Sequence, residues 1–175
     1  MVEKTRVLDS LTYEDREKIL LRNWMSHDGH WFRHVAEEFG FDAANKLNMR
    51  TCRSIGRTDW FRLVKALGID KVESLEQFLE IFKAAWQLYV PPHIDFDVTI
   101  KDNRITAHVK KCFAHEGIES IGMEKLYDCG IFERIRSWMD AARVEYEVEP
   151  PIGKCLKAQG KECIRTMVLR VQDAR

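Results

Sequence analysis

The segment "KCLKAQGKEC", residues 154–163, holds Cys155 and Cys163 with seven residues between them, around Gly160, in a run too polar for a core strand. Gly160 lets the chain turn back, so one hairpin can present both sulfurs to the same ion. Cys112 and Cys129 fall in the same half of the chain, and each of the four stands where an element begins or ends. Metal ligation needs several soft donors converging on one point, and such boundaries are where a backbone delivers them. A thiolate set of this kind suits zinc and would equally hold an iron–sulfur cluster. The bland alternative is that these cysteines are small apolar core residues.

A second group is "SHDGHWFRH", where His27, His30 and His34 follow at offsets of three and four, beside Asp28. On a helix the imidazoles lie along one side, a geometry that can hold a metal or a proton. The pattern is not H-E-x-x-H, and the plainer reading is a helix packed through Trp24 and Trp31 with histidines along its margin. A third resource is aromatic: Trp31, Phe32, Trp86, Tyr89, Phe96 and Trp138 are the material for an apolar ligand cavity, although most aromatics are core. No G-x-S-x-G, phosphate-binding loop or dinucleotide fingerprint is present. A Cys129 thiol at a helix N-terminus with His115 as base is the remaining nucleophile.

The elements that must position these groups can be read from periodicity. Residues 9–40 begin with Ser and Thr caps and an acidic first turn, then space Leu20, Trp24, Trp31 and Val35 as one long helix, eased at Gly29. Residues 42–69 suggest a second helix or a broken pair. Ser74 caps "LEQFLEIFKAAWQLYV", whose apolar residues keep to one face until Pro91 and Pro92 stop it. "IDFDVTI" and "ITAHV" then alternate around the turn "KDNR", which is a β-hairpin. "CGIFERIRSWMDAAR" returns to helical spacing, "VEYEVE" alternates, and "CIRTMVLRV" is the last strand. The expected fold is therefore α+β: a helical region over 1–90 packed on a four-stranded antiparallel β-β-α-β-β sheet in a cysteine-bearing region over 91–175, the whole one folding unit.

The chain has 175 residues, 45% of them hydrophobic, with five Trp and nine Phe, enough for one core. Its 28 basic and 28 acidic residues cancel, so no net field attracts nucleic acid. No apolar run approaches the roughly 18 residues of a membrane span, and the charged opening is unlike a signal peptide. A cytoplasmic protein with reduced cysteines is expected.

The C-terminal half resembles the 4-vinyl-reductase domain family, small-molecule-binding domains that include sensory modules of aromatic-responsive transcription activators. The resemblance lies in "CLKAQGKEC" followed by "IRTMVLRV", a cysteine, a glycine-containing turn and a second cysteine opening the last strand. It covers about 80 residues. It implies a zinc site in which Cys129 is the upstream ligand of Cys155 and Cys163. Those members place a carboxylate three residues before the first cysteine of the pair, where this chain has Ile152. Cys112 would complete an all-thiolate set, with His115 as runner-up. Helices followed by a cysteine-bearing sheet are also similar to the L-2-amino-thiazoline-4-carboxylic acid hydrolase family, and the helical half resembles an uncharacterised prokaryotic family.

Together these lead to a small-molecule-binding domain of sensory type, with a structural zinc at Cys112, Cys129, Cys155 and Cys163 closing one wall of an apolar pocket. The pocket residues expected are Trp31, His27, His30, Trp86 and Trp138, around a small apolar or aromatic ligand. The alternative is a small-molecule hydrolase acting on a cyclic amidine or amide. A third reading is a homodimer formed through the helical half.

Overall fold

The computed structural model describes residues 7–90 and 94–170. After a 3-10 turn at Val7–Ser10 come helices α1 (Tyr13–Phe39), α2 (Phe41–Ala66) and α3 (Leu75–Tyr89), strands β1 (Asp95–Lys101) and β2 (Arg104–Lys111), helices α4 (Phe113–Glu119) and α5 (Gly130–Ala142), strand β3 (Tyr146–Glu149), a second 3-10 turn at Lys157–Gln159 and strand β4 (Cys163–Leu169). The fold is α+β, helical through its first half and carrying an antiparallel sheet in its second.

Local chemistry accounts for the boundaries. Thr12 and Asp15 form a reciprocal capping box at the start of α1, and the Ser74 hydroxyl accepts from the Gln77 N–H at the start of α3. Between β1 and β2, Lys101 faces Arg104 across a two-residue turn, and Asp102 takes the left-handed conformation such turns require (φ 53°). Pro91 and Pro92 lie outside the described residues. Helix α1 is uninterrupted at Gly29, and α2 is a single helix instead of a broken pair. Helix α4, in "FAHEGIE", is an element that the sequence pattern does not announce, because seven residues are too few to set up a periodic stripe.

The sheet order is β1-β2-β4-β3, with all three pairings antiparallel. The final strand is thus central, and its alternate residues Cys163, Arg165, Met167 and Leu169 are buried under the helices. One core joins both halves of the chain: Trp60 of α2, Phe78, Phe82 and Trp86 of α3, Phe132 and Trp138 of α5, and Ile105, Val109 and Met167 of the sheet. A smaller cluster of Phe32, Ala44, Ile118, Tyr127 and Cys155 sits where α1, α2 and α4 meet.

The α2–α5 packing is the tightest helical contact. A Cβ on Gly56 would stand 2.3 Å from the Arg134 carbonyl oxygen, so only glycine permits this approach. Two ion pairs bridge the same interface: Asp59 with Arg134 at 2.6 Å and Arg53 with Glu133 at 2.5 Å. The Trp138 indole N–H also donates to Asp59, at 3.3 Å. Buried charges of this kind are tolerated only when paired, and removing one partner strands the other. Among the described residues, no helix is long and apolar enough to cross a membrane.

Candidate functional site

Three separate devices bring the segments that carry the cysteines near one another. An isolated antiparallel bridge between Asp128 and Lys154 lays the chain before α5 against the chain after β3, with the Cys129 N–H donating to Gly153 and the Cys155 N–H to Tyr127. The β2–β4 register sets Cys163 opposite Val109, three residues before Cys112. Cys112 and Cys129 then occupy the N-cap positions of α4 and α5, without a capping hydrogen bond from either side chain.

Burial pushes Cys129 up to about 12 and Cys163 up to about 11, and raises Cys112 as well. Neighbouring sulfurs add to each rise: Cys112 and Cys163 act on Cys129, Cys112 and Cys155 on Cys163, and Cys155 on Cys112. His115 stands beside Cys155 instead of Cys129, with Nδ1 3.8 Å from the sulfur. Among the described residues, however, no group of three or more His, Cys, Asp or Glu side chains is placed to hold a metal ion. Cys129 and Cys163 belong to the main core, with half-buried Cys112 packed against it, and Cys155 belongs to the smaller cluster.

The histidines of α1 do not converge either. His27 lies beside Asp28 (3.7 Å), His30 accepts from Arg33 through Nδ1 (3.2 Å), and His34 faces Glu37 (2.9 Å). All three are exposed, and the His30 and His34 rings stack with centroids 6.5 Å apart.

What the helices do enclose is a cavity of about 680 Å³ walled by α1, α2, α4 and α5. Of the pocket residues expected from the sequence, His27, His30, Trp31 and Trp138 line it, and Trp86 does not. Trp86 lies in the main core against Phe96 and Trp138, with ring centroids 5.1 and 6.3 Å away. The apolar wall is completed by Trp24, Ile55, Phe113, Ile131 and Ile135. Arg134 also reaches the cavity, but its guanidinium is held by Asp59 and lies over the Trp24 and Tyr89 rings at 4.8 and 5.7 Å.

At the inner end, Asn48 and Cys52 of α2 meet Tyr127 and the first residue of α5, Gly130. The Cys52 thiol donates to Asn48 Oδ1 (3.8 Å), and Asn48 Nδ2 donates to the Tyr127 hydroxyl oxygen (3.4 Å). A Cβ on Gly130 would come within 2.8 Å of the Cys52 sulfur and 3.2 Å of the Tyr127 hydroxyl, so glycine makes room for this chain of groups. Burial holds the Cys52 thiol up at about 12 and keeps Tyr127 well above its ordinary value. The sequence pattern had no means of marking Asn48, Cys52 and Tyr127. They lie about 80 residues apart in the chain and form no motif.

A family model described as a family of unknown function (DUF6125) matches residues 9–162. No curated protein and no solved structure matches the chain.

Proposed function

The chain belongs to DUF6125, and from that premise we propose that it is a small-molecule-binding domain whose ligand lies in the cavity between α1, α2, α4 and α5. The observation that carries this reading is the cavity itself, about 680 Å³ with a mostly apolar wall rich in aromatic rings and with polar side chains set into it. Ligand sites have this size and composition, and a water-filled apolar space of such volume has a standing tendency to take up an apolar guest. A hydrolase working through a cysteine nucleophile would need a reactive thiolate at the cavity. The cysteine that lines it is Cys52, and burial pushes its thiol up to about 12, which speaks against that cysteine as the nucleophile.

The test is calorimetric titration with small aromatic hydrocarbons, first 2-ethylnaphthalene, on the parent protein and on Gly117→Phe. Gly117 lines the cavity and a Cβ there meets nothing within 4 Å, so a side chain can start from this position without a backbone clash. Saturable binding to the parent that is lost in the folded variant supports the reading. No binding of any aromatic probe to the parent, or equal binding to both proteins, removes it.

A second reading keeps a structural metal, zinc before an iron–sulfur cluster, at Cys112, Cys129, Cys155 and Cys163. The observation favouring it is Arg165, which is 1% exposed, donates to the Pro150 and Pro151 carbonyls, lies over the Phe132 ring and has no carboxylate partner among the described residues. Its charge acts instead on Cys129 and Cys163. Four thiolates on a divalent ion carry net negative charge, which a buried guanidinium would offset. When bound, such an ion would tie the 154–163 hairpin to the sheet. Elemental analysis of anaerobically purified protein decides this: about one zinc per chain, lowered in Cys155→Ser and Cys163→Ser and unchanged in Cys52→Ser, is the expected result. Equal metal content in all three variants removes the site.

A further inference from the structure

The inner end of the cavity holds a hydrogen-bond donor with nothing to donate to. Tyr127 is 7% exposed, and its hydroxyl oxygen already accepts from Asn48 Nδ2 at 3.4 Å. Asn48 Oδ1 is in turn occupied by the Cys52 thiol at 3.8 Å, so the order of donors along the chain runs toward the tyrosine. The hydroxyl proton at the end has no acceptor among the described residues. The ring cannot easily swing to find one, because Phe32 packs against it edge-on at 5.9 Å in the smaller core cluster. A buried donor left unmade costs free energy that a ligand acceptor would recover.

Charge around the cavity narrows what that acceptor can be. The Arg134 guanidinium is bound to Asp59, and Arg33, another cation on the lining, pairs with Glu37 at 3.8 Å and donates to His30. Asp28 also lines the cavity, half-exposed beside His27, and partial desolvation raises its pKa. An anionic ligand would therefore meet a carboxylate and no unpaired cation. The remaining wall, with Trp24, Trp31, Trp138, Ile131 and Ile135, presents flat and aliphatic surface to the body of the guest.

Resting on the binding reading above, we propose that the cavity takes a neutral, flat, apolar molecule whose one hydrogen-bond-accepting oxygen sits on the Tyr127 hydroxyl. Tyr127 then sets specificity, and the Cys52–Asn48 pair holds that hydroxyl in the orientation that faces the cavity.

Three probes of one shape test this by isothermal titration at neutral pH: 2-acetylnaphthalene, a neutral ketone; 2-ethylnaphthalene, without an acceptor; and 2-naphthoate, the carboxylate. The ketone should bind about 5- to 10-fold tighter than the hydrocarbon, the size of one neutral hydrogen bond, and the carboxylate at least about tenfold weaker than the ketone. Tyr127→Phe should abolish the preference for the ketone while leaving the hydrocarbon affinity as it was, which also shows that the variant is folded. Equal binding of ketone and hydrocarbon, a ketone preference that survives in Tyr127→Phe, or tightest binding by the carboxylate would each overturn the proposal while leaving a binding cavity in place. Binding of none of the three would instead take away the cavity reading on which it rests.

Discussion

Replacing Gly56 with alanine tests the packing that builds the cavity. The new methyl carbon would lie 2.3 Å from the Arg134 carbonyl oxygen and 2.8 Å from Ser137 Cβ, both on α5. The first of these is backbone, so it cannot be relieved by a rotamer change. Reaching ordinary contact requires α2 and α5 to part by about 1 Å. Overpacking of this kind costs about 1–3 kcal/mol, and a forced helix displacement belongs at or above the upper end. Alanine returns about 1 kcal/mol through its better helix propensity. The net expectation is a loss of about 2 kcal/mol, or a fall in Tm of about 4–8 °C for a chain of this length.

Gly29→Ala is the internal control, because Gly29 lies in α1 with nothing within 4 Å of its added Cβ. There the propensity term acts alone, and Tm should rise by about 1–4 °C. Thermal melts followed by circular dichroism on both variants make the comparison. If Gly56→Ala melts at or above the parent while Gly29→Ala behaves as expected, α2 and α5 are not in the close contact described, and the cavity they wall is drawn wrongly.

Asp59→Ala should cost about 3–5 kcal/mol, because Arg134 is then left largely buried and unpaired, and the double variant with Arg134→Met should cost less than the two single losses added, measured by urea midpoints. Cys52 should resist alkylation by iodoacetamide at pH 8 in the folded protein and react on unfolding, as seen by mass spectrometry. Its raised value also sets the direction of a pH effect. The neutral thiol is favoured in the fold, so its contribution is complete below the ordinary value of 9.0 and is lost as pH rises toward about 12, at no more than about 1.4 kcal/mol per pH unit. Cys52→Ala should make that part of the stability profile less steep, leaving the share of the other raised thiols, Cys112, Cys129 and Cys163. Arg165→Met should lower stability by releasing the Pro150–Pro151 carbonyls, and should lower any bound metal as well if the second reading holds; loss of stability with unchanged metal would confine Arg165 to clamping the turn.

Much of the fold was legible because its signals are local. The stripe Phe78, Phe82, Ala85, Trp86 and the alternation in residues 95–111 follow from helix and strand periods that need only a few neighbouring residues. The capping residues Thr12 and Ser74 marked helix starts for the same reason. Helix α4 was not legible, since it is barely two turns long, nor was the central place of β4, since strand order depends on which edges meet and not on any one strand's pattern.

The candidate site divides along the same line. The sequence by itself determined that this chain carries four cysteines at element boundaries, histidines along one helix, and enough aromatic residues for both a core and a ligand wall. Tertiary structure alone decided which aromatics face the core and which the cavity. It sent Trp86 into the main core and Trp138 to the border of core and cavity, although both sit on apolar helix stripes that look alike in sequence. It also brought Asn48 and Cys52 to Tyr127 across about 80 residues, through the crossing of α2 over α5 that Gly56 and Gly130 permit. A periodic pattern records which face of an element turns inward, whereas a cavity is set by how far apart packed elements stand, and that distance is fixed by side chains from distant parts of the chain acting together.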